Sequence, residues 1–200
     1  MTQSARQKLL RLFRNEGLVR SREVERGGLP RWMLYELVKA GTVSRMGRGL
    51  YSLTNSKPTE NHSYAEAIKR APSGVLCLLS ALRFHGLTME NPVEVWVAVP
   101  HGSWRSRSSG IKMRTVQLSD KGLTVGVERY RIEGVTVPVT NVARTITDCF
   151  KFRNKIGTDV ALEALREAWR KKLFTMDELW GYIRILRMSR VMMPYLEAIG

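Results

Sequence analysis

The residues of this chain best equipped for chemistry are basic and aromatic, and they crowd into its first fifty positions. Arg31, Trp32, Tyr35 and Lys39 are spaced so that, at 100° per residue, they share one side of a helix. Arg48 stands between Gly47 and Gly49, with Arg45 just before it. Guanidinium and ammonium groups neutralise phosphates or reach base edges, and aromatic rings contact sugars or a thymine methyl. Glycines beside Arg48 let the backbone approach a phosphate closely. Ser21 and Arg22 open a short helix, where free N–H groups attract anions. Ser21 reads equally well as a plain helix cap. Ser21, Arg22, Arg31, Trp32, Tyr35, Lys39, Arg45 and Arg48 together make a candidate surface for duplex DNA.

The charge balance agrees. Lys and Arg number 33 against 18 Asp and Glu, a formal charge of +15 over 200 residues. Residues 1–56 hold 11 basic and 4 acidic side chains, so nearly half the excess rides on about a quarter of the length. Such a surplus does not help folding; it points to nucleic acid or another anionic partner. A second basic zone, His101 to Arg114, holds Trp104, Arg105, Arg107, Lys112 and Arg114 among serines and glycines. It reads as a solvated hairpin loop or as an arm that orders on nucleic acid. Lys171 and Lys172 decorate a helix C-terminus, where cations are favoured.

Other chemistries find little support. The carboxylates of the strand region, Asp120, Glu128 and Glu133, are not followed by the Glu-x-Lys or Asp-x-Lys arrangement of a magnesium nuclease. There is no Gly-x-x-x-x-Gly-Lys loop and no Gly-x-Ser-x-Gly elbow. His62, His85 and His101 lack ligand spacing, so no metal is expected, nor a cofactor, nor catalytic residues. Cys77 and Cys149 read as reduced core thiols. Arg144 and Asp148, four apart, read as an intrahelical ion pair. The longest apolar run, around Val75–Leu82, is far short of the roughly 20 residues of a membrane span. The N-terminus has no apolar stretch like a signal peptide, so a cytoplasmic protein without a membrane partner is expected.

These side chains need elements to hold them. Ala5, Leu9, Leu12 and Phe13 repeat at helical spacing up to Gly17. A short helix from Ser21 to Val24 halts at Gly27-Gly28. A third begins at Pro30 and stops at Gly41, its apolar stripe formed by Leu34, Leu37 and Val38 with Pro30. Two short strands around Gly47-Arg48-Gly49 form a hairpin. Helix, helix, turn, helix, hairpin is the order of a winged helix-turn-helix, with the third helix in the major groove and the hairpin as wing. Residues 1–54 are therefore read as a DNA-binding domain, 55–60 as a linker, and 61–200 as a second domain. That second part predicts helices near 64–70 and 75–85. Strands follow over 93–99, 111–118 and 125–139, then four helices to 198, one marked by the capping box Thr175-x-x-Glu178. The fold class is α+β: a winged helix followed by an α+β domain with a small, mainly antiparallel sheet and a helical C-terminal end.

Read as one string, Arg45-x-Gly47-Arg48-Gly49-Leu50-Tyr51 resembles the wing motif of the AbiEi antitoxins, and Leu34 to Gly41 resembles the helix before it. Leu79-Ser80-Ala81-Leu82 with His85-Gly86-Leu87-Thr88, the strand Pro92–Pro100, and Arg144-Thr145-Ile146-x-Asp148 are similar to further pieces of that family in the same order, so the likeness spans roughly residues 5–172. The resemblance implies a type IV toxin–antitoxin, or abortive-infection, protein used in phage defence. It implies repression of its own operon through inverted repeats in double-stranded operator DNA. It also implies a C-terminal domain that counteracts an AbiEii-like nucleotidyltransferase toxin without a stable complex, in a bacterial cytoplasm and on the nucleoid when bound to DNA. No motif marks the residues that counter the toxin. The alternatives are a nucleic-acid-binding adaptor without repressor activity, and a nuclease fused to a winged helix.

Overall fold

The computed structural model describes residues 3–89, 92–103 and 111–198. The chain divides into two compact units. One is built on Met1–Ser73 and takes in Arg129–Val137; the other is built on Gly74–Gly102, Met113–Glu128 and Pro138–Gly200.

The first unit runs α1 (Gln3–Glu16), β1 (Leu18–Arg20), α2 (Ser21–Arg26), α3 (Trp32–Lys39), β2 (Val43–Gly47), β3 (Leu50–Leu53) and α4 (His62–Arg70). Helix α1 turns Leu9 and Phe13 inward and ends at Gly17, whose φ of +59° an L side chain adopts only under strain. A Cβ at Gly17 would also collide with the Glu133 carbonyl. Strand β1 was not expected. It has three residues, and Leu18 and Val19 are both buried, so no alternation advertises it. It pairs antiparallel with β3, and β3 with β2, giving the order β1-β3-β2. Three helices and a three-stranded sheet in this order make a winged helix-turn-helix.

Two helix starts differ from expectation. Arg20 pairs with Leu50 in the sheet, so Arg20, in extended backbone, becomes the N-cap of α2, and Ser21 is its first helical residue. The Arg20 N–H donates to Glu23 Oε2 at 2.7 Å. Helix α3 starts at Trp32, because Pro30 lies in a tight turn whose carbonyl accepts from Met33 N three residues on. Its end is as read. Gly41 has φ +68°, and Thr42 N and Gly41 N donate to the carbonyls of Leu37 and Val38, a Schellman motif.

After α4 come β4 (Val75–Leu76), α5 (Leu78–Phe84), β5 (Val95–Pro100), β6 (Met113–Leu118), a 3-10 turn at Asp120–Leu123, β7 (Val127–Ile132), β8 (Val135–Thr140), α6 (Val142–Lys151), α7 (Arg153–Ile156), α8 (Thr158–Arg170), α9 (Met176–Ile185) and α10 (Ser189–Glu197); Arg129–Val137 of β7 and β8 count with the first unit, the rest with the second. The sheet order is β6-β5-β4-β8-β7. The fold class is α+β as expected, but this sheet is mixed: β4 runs antiparallel to β5, while β5–β6 and β4–β8 are parallel. Residues 101–112 separate β5 from β6, and a parallel neighbour needs a connection of that length. The expected helix over 75–85 is split. Val75 and Leu76 join the sheet, Cys77 is extended and donates its N–H to the Trp96 carbonyl, and the helix begins after it. A short apolar run looks alike as buried strand or buried helix.

Helix α6 is central to the second core. Asn141 Oδ1 accepts from Arg144 N at 2.9 Å and caps it. Arg144 and Asp148, 1% and 2% exposed, form the expected ion pair, Nε to Oδ2 at 2.8 Å. Among the described residues Asp148 Oδ1 has no partner, and burial pushes the Asp148 carboxyl up against the pull of Arg144. Cys77 and Cys149 are free and buried, and burial raises both thiols. The capping box at α9 is present: Glu178 N donates to Thr175 Oγ1 and Thr175 N to Glu178 Oε2.

The turn at Glu133–Gly134 belongs to the first unit. Both residues have positive φ, +48° and +81°, the signature of a two-residue hairpin turn. Glu133 Oε1 accepts from Thr59 N (2.6 Å) and Thr59 Oγ1 (2.8 Å), and Oε2 accepts from His62 Nδ1 (2.7 Å). Burial alone would raise this carboxyl, but those hydrogen bonds hold it below the ordinary glutamate value. Arg131 donates to the Asn15 carbonyl at 3.1 Å.

Two outcomes follow. Glu133 binds its proton more weakly folded than unfolded. Its contribution to stability is therefore full above the unfolded value of 4.5 and lost as pH falls through the lower folded one. Urea midpoints should place Glu133→Gln below wild type at pH 7, with the gap closing as the solution is acidified below 4.5. Arg144→Ala leaves Asp148 buried without its partner and should cost about 3–5 kcal/mol, read from the same denaturation curves at pH 7.

Candidate nucleic-acid interface

The core of the first unit gathers Leu9, Phe13, Val19, Val24, Leu29, Met33, Leu34, Leu37, Val43 and Tyr51. Helix α3 contributes Met33, Leu34 and Leu37, which span about 100° of its circumference. The remaining arc faces solvent and carries Val38, Arg31, Tyr35, Lys39, Trp32 and Glu36. Val38 and Pro30, expected on the apolar stripe, are exposed, and Met33 takes the inner place. Trp32 is 48% and Tyr35 57% exposed, large for aromatic side chains with a core next to them. Glu36 is the acid on this arc and lies at its edge.

The wing turn is Arg48-Gly49, with Gly49 at φ +68°. The register slips between Arg45 and Gly47, so a bulge at Met46 twists the hairpin. Arg45 Nε donates to the Gly47 carbonyl at 3.2 Å, which fixes one edge of its guanidinium against the turn. The Gly49 carbonyl accepts from Ser21 N at 3.0 Å. This bond ties the wing to the first residue of α2 and brings Arg48 to the neighbourhood of Ser21 and Arg22. Ser21 is half-buried; Arg22, Arg31, Lys39, Arg45 and Arg48 are exposed. Among the described residues the side chains of Arg22, Arg31, Lys39 and Arg48 have no hydrogen-bond or ion-pair partner.

Other cations of this unit are committed inside it. Lys69 Nζ bonds Glu23 at 3.0 and 3.1 Å and Glu16 at 3.4 Å. Arg70 pairs with Glu66, Nε to Oε1 at 3.0 Å. Lys8 Nζ donates to the Gly27 carbonyl at 2.8 Å. One basic residue was missed. Arg20 sits half-buried between β1 and α2; burial, with Arg22 and Arg70 close by, lowers the affinity of its guanidinium for its proton against the pull of Glu23, and among the described residues its Nε has no partner. Only recognition of β1 could have flagged it.

In the second basic zone, Lys112 and Arg114 are exposed. Arg114 lies 4.7 Å over the Trp96 ring and 3.7 Å from Glu94, so it is partly engaged. Arg105 and Arg107, like Trp104, lie outside the described residues. Among the described residues there is no group of three or more His, Cys, Asp or Glu placed to hold a metal ion. No helix among them is long and apolar enough to cross a membrane.

Residues 7–54, from α1 to the end of the wing, match the model of a family described as transcriptional regulator, AbiEi antitoxin. Over that stretch, about a quarter of the chain, the winged helix is similar to the AbiEi antitoxins. No curated protein matches the chain. That description is of a transcriptional regulator and antitoxin. The exposed cations of α3 and the wing all fall inside the matched stretch.

A phosphate-contacting cation contributes about 0.9 units to the slope of log affinity against log salt. Lys39→Ala and Arg48→Ala should each weaken binding to promoter DNA and lower that slope by roughly one unit. A titration of promoter DNA at several salt concentrations measures both. Glu36→Ala, which removes the acid at the edge of the same arc, should strengthen binding in that titration.

Proposed function

We propose that this chain is an antitoxin that represses its own operon. Its winged helix, residues 1–54, binds inverted repeats in the operator, with α3 in the major groove. Arg31 and Lys39 meet phosphates or base edges, and Tyr35 and Trp32 meet sugars or a thymine methyl. Arg48, with Arg45 behind it, follows the backbone or the adjacent minor groove. Ser21 and Arg22 take a phosphate at the start of α2. Inverted repeats require two copies of this unit, one for each half-site. Residues 61–200 counteract a nucleotidyltransferase-like toxin without a stable complex. The protein works in the bacterial cytoplasm, on the nucleoid when DNA-bound, and serves phage defence.

One observation carries this reading. The basic and aromatic arc of α3 is exposed and unpaired within the stretch matched to a regulator family, while neighbouring cations of the same unit are neutralised by glutamates.

The test separates the two activities in the full chain. A Lys39→Ala, Arg48→Ala double variant should release a promoter reporter from repression. The same variant should still rescue growth when the toxin is co-expressed. A reporter that stays repressed overturns the assignment of this face; lost rescue at normal protein levels overturns the division of labour.

A further inference from the structure

The second unit holds a cleft that the regulator reading does not use. It has a volume of about 330 Å³ and lies between the end of β6, the 3-10 turn, α6 and the end of α9. Sites for small molecules occupy roughly 300–1,000 Å³, so it suits one compact ligand rather than a polymer. Arg144, Lys121 and Lys151 line it, together with His101, and no carboxylate does. Lys121 and Lys151 have no hydrogen-bond or ion-pair partner among the described residues. Lys151 is in the last turn of α6, where a cation is favoured by the helix itself. Lys121, in a four-residue 3-10 turn, has no such explanation.

Arg144 forms the back of the cleft and is held rigidly. Its Nε donates to Asp148, Nη1 to the Val125 carbonyl at 2.9 Å, and Nη2 to the Gly122 carbonyl at 3.3 Å. All three of its nitrogens are bonded, so it backs the cleft with a fixed, buried guanidinium. Two exposed ammonium groups without partners in front of it suit a phosphate. The other wall is apolar: Phe152, Leu186 and Ile185, the last 47% exposed although it is a large aliphatic side chain. Cations on one side and hydrocarbon on the other match a ligand with an anionic end and a flat or apolar body.

We propose that this cleft binds a phosphomonoester of mononucleotide size. The phosphate meets Lys121 and Lys151 in front of Arg144, and the body lies against Phe152 and Ile185. This site is separate from the proposed DNA face and does not depend on that reading.

Calorimetric titration of the full chain with adenosine monophosphate, and separately with inorganic phosphate, tests it. One adenosine monophosphate per chain is expected, bound more tightly than phosphate. Lys121→Gln with Lys151→Gln should weaken it roughly tenfold or more, while the melting temperature falls by no more than a few degrees, because both side chains are exposed and unpaired. Ile185→Ser should weaken the nucleotide and leave phosphate unaffected. No heat at millimolar nucleotide overturns the proposal, as does equal affinity in the lysine double variant. Loss of binding in Lys39→Ala, Arg48→Ala instead would assign the nucleotide to the winged helix and also overturn it.

Discussion

Burial of Met33, Leu34 and Leu37 against α1 and the small sheet decides which residues of α3 can touch anything else. Three side chains cover about 100° of the helix, and the rest of the circumference must face water. Which residues occupy that outer arc is a matter of phase. A helix rotated by one residue would bury Arg31 or Glu36 and lose the core. The hydrophobic contact thus places the charged surface without any charged residue taking part. The Schellman motif at Gly41 then ends the helix so that the chain enters β2 after three residues.

The same unit sorts its cations into two populations. Lys69 and Arg70 are drawn in by Glu16, Glu23 and Glu66 and hold α4 in place. Arg22, Arg31, Lys39 and Arg48 are left without counter-ions. Net charge alone does not reveal this division, since glutamates that neutralise the first group stand as close in sequence to the second. Arg20 falls between the two: it is half-buried, with Arg22, Glu23 and Arg70 close by.

Much of the winged helix was legible in the chain because its signals are local. Gly17 and Gly41 stop helices, Gly49 makes the turn, and leucines recur at helical spacing. The exposed arc of α3 was also legible, since periodicity alone separates it from the core. What escaped was set by distant pairing. Strand β1 exists because β3 offers an edge to Leu18–Arg20, and three residues carry no period of their own. Val75 and Leu76 join a sheet whose other strands arrive up to sixty residues later, so the apolar run gives no hint of the break at Cys77. The parallel β5–β6 pairing likewise joins strands separated by residues 101–112, a stretch rich in Ser, Gly and basic residues. Lys121 and Arg144, which meet in the cleft, are joined by a fold and not by a motif.

The discontinuity of the first unit has a practical side. Its members Arg129–Val137 return from far along the chain to satisfy Thr59, His62 and the end of α1. No single cut of the polypeptide, by protease or by gene truncation, can release that unit whole. A fragment ending after α4 would leave Gly17 facing solvent where the Glu133 carbonyl now sits, and the amide of Thr59 without its carboxylate. Shuffling this reader of DNA onto another protein would require carrying the hairpin with it.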